Sequence, residues 1–220
     1  MDGDAYVLTG EKAYVPYAAG AQALLVYASL DGRTQGFIVP GDAAGLEVGE
    51  RQKLLGLNAL PLYELKLNGV RVPLDNRLGG PDGHDFAPIL DATRVALAAM
   101  ALGVSKAAYE YARDYAKDRD VFGMKVAQKQ AIAFMLAEMA TEIEAIRLLT
   151  WEAAWMLDNG KEDASKHAYL ALTGATDMAM MVTDRAVQIL GGHGYIREHP
   201  VELWLRNGRG FATFTGMAMI

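Results

Sequence analysis

The chain of 220 residues contains no cysteine. That excludes disulfides, thiolate catalysis and cysteine-ligated zinc. Histidine is scarce too: the four (His84, His167, His193, His199) show no i, i+4 pairing, and no Glu-x-x-His occurs. Glu138, Glu142 and Glu144 therefore read as a solvated helix face rather than a di-iron site, and no metal site is expected. There is no excess of positive charge. The formal net charge of −6 argues against nucleic-acid binding. Long apolar runs are missing as well. The longest, Val95 to Val104, falls short of the roughly 20 residues that span a bilayer. The acidic, polar opening Met1-Asp-Gly-Asp is not a secretory leader. Nucleophile elbows and Walker loops are also lacking. The expectation is a protein without a membrane span that is not secreted.

What the chain has is apolar content: 52% hydrophobic residues, enough to bury a sizeable core. The two ends read differently. Ala5 to Thr9, Ala23 to Ser29, Gln35 to Pro40 and Leu62 to Val72 are strand-like runs, with Asp31-Gly32 as a hairpin dipeptide. In the last run Leu65 and Leu67 face one way while Glu64, Lys66 and Asn68 face the other, the mark of antiparallel sheet with one wet face. Beyond the breaker cluster Leu78-Gly-Gly-Pro-Asp-Gly83 the period becomes helical. One helix starts at Asp85 or Asp91 and runs to about Asp118. A second carries Ile132, Leu136, Met139, Ile143 and Ile146, with Ala153 and Leu157, on one face, and ends at Asn159-Gly160. A third runs from about Glu162 to Leu190, and a short fourth follows Pro200. The predicted class is α+β: a partial antiparallel β domain over residues 1–80, then an up-down helical bundle over residues 81–220. Some 70 residues of sheet opening almost inside a strand further suggest that upstream strands are absent.

Two loops stand out. Gln188 followed by Gly191-Gly192-His193-Gly194-Tyr195 is either an interhelical turn or a loop whose backbone N–H groups approach a phosphate or a flavin. Arg119-Asp-Val-Phe122-Gly123 is either a helix end, with a C-terminal cation and an αL glycine, or an arginine for a pyrophosphate beside a ring for an adenine.

Taken in order, several segments resemble the acyl-CoA dehydrogenase family. They are Asp2 to Tyr14, Leu65 to Pro73, Arg119-Asp-Val-Phe-Gly with Gln130, Gln188-Ile-Leu-Gly-Gly-His-Gly-Tyr195, and His199-Pro-Val-Glu-Leu-Trp-Leu-Arg206. The resemblance runs from residue 2 to residue 220. It implies the middle β domain's end and the C-terminal four-helix domain, with the N-terminal helical domain and the first β strands absent. It implies FAD as cofactor, an acyl-CoA thioester as substrate, and α,β-dehydrogenation. It also implies self-association as dimer or tetramer, or pairing with a homologous subunit, and an electron-transfer partner. The expected compartment is the bacterial cytoplasm or the mitochondrial matrix. By resemblance Arg119, Phe122 and Gln130 touch the FAD of a neighbouring subunit, and Gln188, Gly191 and Gly192 line its ADP part.

Three departures from the family pattern follow. The loop that carries the glutamate base in most members reads Thr213-Phe-Thr215-Gly-Met217, so Thr215 stands at the base position. The alternative base position, on the first C-terminal helix just before Arg94, is Thr93, and Arg94 is counted with the catalytic set. A threonine hydroxyl is far too weak an acid to replace a carboxylate, and His193 is considered as a substitute. The strand that meets the flavin reads Tyr14-Val15-Pro16, and proline offers neither N–H nor hydroxyl to the flavin edge.

Overall fold

A computed structural model describes residues 3–214, which divide into two compact units. The first comprises the residues up to Leu54 together with Asn58–Ala87. It is built from β1 (Ala5–Pro16), β2 (Ala23–Leu30), β3 (Arg33–Pro40), β4 (Leu46–Arg51) and β5 (Leu62–Pro73). β1, β5 and β4 form an antiparallel sheet in that order, and β2 and β3 form a separate hairpin. The hairpin turns at Asp31-Gly32, where both residues have positive φ, as a two-residue turn matched to strand twist requires. Along β5 the expected alternation is present: Leu65 and Leu67 are buried, and Glu64, Lys66 and Asn68 are exposed. These leucines join Tyr6, Leu8, Val26, Phe37, Val39, Val70 and Val72 in one core.

Two differences from the sequence expectation have physical causes. β1 continues past Thr9 to Pro16, because a bulge between Lys12 and Val15, with Tyr14 at φ 56°, keeps the strand paired to β5. β4 carries no legible alternation because, as an edge strand, it leaves Glu47 to Arg51 exposed.

The second unit comprises Leu55–Leu57 and the described residues from Pro88 to Phe214. It holds α1 (Ala87–Asp118), a small hairpin of β6 (Asp120–Val121) and β7 (Met124–Lys125), α2 (Gln130–Asp158), α3 (Ala164–Leu190), the single turn α4 (Gly192–Tyr195) and α5 (Val201–Gly210). α1 begins where the Asp85 carboxylate accepts the Ala87 N–H at 3.0 Å. α3 is the central helix. Its alanines and Leu172, Met178, Val182, Ile189 and Leu190 are buried, and it packs against α2 and α5. α2 buries Met139, Ile143, Ile146 and Ala153, the face its periodicity indicates. By length and composition alone α1 would span a bilayer; its Ala98, Ala101, Ala108, Ala112 and Ala116 are instead fully buried in the helical core.

The Leu55–Leu57 segment is held to this unit by α5. Asn207 Oδ1 accepts the Leu57 N–H at 2.8 Å, and Arg206 donates to Leu55 O at 2.9 Å. A Cβ on Gly56 would lie 2.0 Å from Arg206 O, so the two backbones can meet only at glycine.

Candidate functional site

The up-down path brings the C-terminus of α1, the N-terminus of α2 and the C-terminus of α3 to one end of the helical unit. Arg119 lies just past α1, its N–H donating to Tyr115 O at 2.9 Å. α1 does end just before Arg119, as the helix-end reading expects, but Gly123 does not cap it. Asp120–Lys125 pair as a hairpin whose two-residue turn is Phe122-Gly123, with φ 55° and 78°. Gly123 suits that turn; a bulky aromatic at positive φ is disfavoured. Phe122 is nevertheless held at the tip, 95% exposed. Lys129 stands over its ring at 5.5 Å.

Lys125 organises the hairpin. Its ammonium donates to Asp118 O at 2.8 Å, satisfying a carbonyl at the end of α1, and pairs with Asp120 at 2.7 Å. The Arg119 side chain is left exposed, and its guanidinium has no hydrogen bond or ion pair to any described residue. Gln130 opens α2 and Gln188 lies in the last turn of α3; both are exposed, and neither side-chain amide has a partner among the described residues. α3 stops at Gly191, at φ 58°, whose N–H bonds Val187 O and Gln188 O. Where a Cβ would sit on Gly123, Gly191 or Gly192 there is open space.

The Arg119 and Gly191 corners are joined by a cluster that the sequence did not disclose. Tyr115 Oη lies 2.9 Å from His193 Nδ1, and Tyr111 Oη lies 2.7 Å from His199 Nδ1. The two imidazoles stack, 5.2 Å apart and 12° from parallel. Trp204 meets Tyr111 edge to face at 5.8 Å. The available signal was the spacing Tyr111, Tyr115, Arg119, one helix face in steps of four.

The remaining predicted residues lie elsewhere. Thr93 and Arg94 are near the start of α1, roughly 37 Å along the helix axis from Asp118 at 1.5 Å per residue. The Thr93 hydroxyl donates to Ile89 O at 2.8 Å. Arg94 pairs with buried Asp91 at 3.0 Å and lies over the Tyr169 ring at 5.4 Å; Ser165 also donates to Asp91. On α5, the Arg206 guanidinium bonded to Glu202 at 2.7 Å holds that carboxyl below the usual carboxylate range. Tyr14, 40% exposed, and Pro16, opposite Leu62, lie on β1 of the first unit. Thr215 lies outside the described residues.

Residues 86–220 match the family profile "Acyl-CoA dehydrogenase, C-terminal domain". The chain is 39% identical to the short-chain specific acyl-CoA dehydrogenase, mitochondrial, of Sus scrofa, over all of this chain and 55% of that relative. It is 37% identical to the caffeyl-CoA reductase-Etf complex subunit CarC of Acetobacterium woodii, over 99% of this chain and 59% of that protein. The solved butyryl-CoA dehydrogenase of Megasphaera elsdenii superposes with a TM-score of 0.87 at 34% identity, covering 98% of this chain and 58% of that one. The chain thus spans little more than half the length of these relatives. Members of the family these matches define are FAD-dependent flavoproteins. With its profile covering well over half of the residues and its α+β fold shared with a solved member, the chain belongs to the acyl-CoA dehydrogenase family.

Proposed function

We propose that this chain supplies the FAD-clamping corner of an acyl-CoA dehydrogenase-type flavoprotein, one that lacks the usual glutamate base for α,β-dehydrogenation of an acyl-CoA thioester. The observation that carries the reading is the convergence of Arg119, Phe122, Gln130, Gln188, Gly191 and Gly192 at one end of the helical unit, all exposed. Their chemistry fits a dinucleotide flavin. The free guanidinium of Arg119 suits a pyrophosphate, which it can hold bidentately. The Phe122 ring suits an adenine face. Gln130 and Gln188 offer unpartnered amides, and the glycines admit a ligand against the backbone. FAD, when bound, supplies the acceptor for the substrate's β hydride.

Proton removal is where this chain departs. Thr93 keeps its hydroxyl on its own helix backbone, and Thr215 carries no carboxylate. Pro16 has no N–H to offer the flavin edge. These departures favour a second reading, in which the chain clamps FAD for a complete homologous subunit and does no chemistry itself. In either reading the electrons leave through a separate carrier, in line with the Etf complex named for the A. woodii relative.

The test is the visible spectrum of the native assembly with FAD, followed by anaerobic addition of an acyl-CoA. We expect a flavin band and slow bleaching. Thr215→Glu is expected to raise bleaching by about 10²–10⁴, the usual worth of a general base. No flavin uptake would count against the FAD reading. No gain from Thr215→Glu would count against Thr215 as the base position. Bleaching that appears only after mixing with a complete homologue would select the second reading.

A further inference from the structure

The turn that follows α3 is poorly anchored by its own side chains. Gly191 and Gly192 are exposed, and Tyr195 is 87% exposed. Gly194 is buried, packed so closely that a Cβ would lie 2.3 Å from Val187 O. Among the described residues, the only side-chain hydrogen bond made by residues 191–195 is the one between His193 and Tyr115. Tyr115 in turn lies one helical turn before Arg119 and accepts that residue's N–H on its backbone carbonyl. A single hydroxyl–imidazole hydrogen bond therefore links the side chains of the glycine turn to α1, the helix that ends at the arginine corner.

The contact has bracing behind it. In the tautomer that carries its proton on Nε2, each imidazole accepts the tyrosine hydroxyl's hydrogen bond on Nδ1. His199, held in the same way by Tyr111, stacks flat on His193 at 5.2 Å. Tyr115 also meets the His199 ring edge to face at 5.8 Å, and Trp204 closes the set against Tyr111. The stack restrains the rotation of His193 that would break its bond to Tyr115. Packing alone would be served as well by apolar rings. Hydroxyls placed on both Nδ1 atoms fix orientation, which a turn that must present backbone N–H groups at a set position requires.

We infer that Tyr115 and His193 are a positioning pair, braced by Tyr111 and His199, which locks the Gly191–Gly192 turn in register with Arg119 and so sets the affinity for the dinucleotide half of FAD. The inference rests on the FAD reading above. Neither residue is assigned contact with the cofactor; they act through the backbone that carries it.

The test uses the full chain in its native assembly, with two readouts: amide hydrogen exchange of residues 188–195, and FAD affinity from quenching of flavin fluorescence. Tyr115→Phe removes only the hydroxyl and keeps the ring that His199 meets. It is expected to raise exchange of the turn about three- to tenfold, as for loss of one neutral hydrogen bond, and to weaken FAD by a similar factor. His193→Leu should behave alike. His193→Asn places an acceptor oxygen where Nδ1 was, so it is expected to restore both readouts to within about twofold of the wild type. Arg119→Gln is the control: it should weaken FAD while leaving exchange of the turn unchanged. Unchanged exchange in Tyr115→Phe overturns the lock. Raised exchange with unchanged FAD affinity, while Arg119→Gln still weakens FAD, overturns the link to the cofactor. A wild type that takes up no FAD overturns the FAD reading and that link together, and the exchange data still decide the lock.

Discussion

The two ends of α1 treat charge in opposite ways. At the start, Asp91 is 3% exposed and fully engaged by Arg94 and Ser165. At the far end, Lys125 neutralises Asp120 and leaves Arg119 exposed, beside a strained aromatic turn. One end is satisfied by the protein; at the other the Arg119 guanidinium has no partner among the described residues. A buried, paired charge holds the fold, and its loss leaves the partner stranded. An exposed charge without a partner among the described residues contributes little to folding, so it can be changed without unfolding the chain.

Substitution at each end is expected to move a different property. The largest effect on stability is expected at the satisfied end. Asp91→Ala strands Arg94 and should cost about 3 kcal/mol in denaturant unfolding, with little change in the FAD affinity of the folded protein. At the free end the signs reverse. Arg119→Gln should weaken FAD about 10- to 100-fold, the worth of charge-assisted hydrogen bonds, while unfolding shifts by less than about 0.5 kcal/mol. Phe122→Gly relieves a residue at φ 55°. It should stabilise the chain by up to about 1 kcal/mol and still lose affinity, separating folding from binding at one position.

The smallest effect is on α5. Glu202 is held below its ordinary range by Arg206. Its contribution is therefore present above the unfolded carboxylate value, about 4.3, and is lost as pH falls through the lower folded value. Glu202→Gln should lower stability by about 0.5 kcal/mol near neutral pH, with the difference disappearing in acid. A difference that grows on acidification would reverse the assigned sign.

Much of this organisation was legible from residue order. α2 announced itself by apolar residues three and four apart, and its Met139, Ile143 and Ile146 are buried as that spacing requires. The end of α3 was legible because Gly191-Gly192 cannot continue a helix cheaply. β4 was not, because an exposed edge strand has no buried face to leave an alternating trace. The β6–β7 hairpin was hidden for another reason. Arg-Asp-Val-Phe-Gly satisfies the rules for a helix end, and nothing local reveals that Phe122 adopts positive φ. The tyrosine–histidine pairs were hidden because their partners lie 78 and 88 residues apart, a contact only the helix packing creates. For the candidate site, the residue types were legible as members of two loops, but their placement at one end followed only from the up-down path of α1, α2 and α3.

In the proposed FAD reading the Arg119 hairpin and the Gly191 turn are two sides of a single dinucleotide site. Amide hydrogen exchange of the native assembly, with and without FAD, tests it most directly. FAD is expected to slow exchange in residues 119–130 and 188–195 together, with the same midpoint on titration. Slowing in one segment without the other, or in neither while FAD is bound, would contradict it.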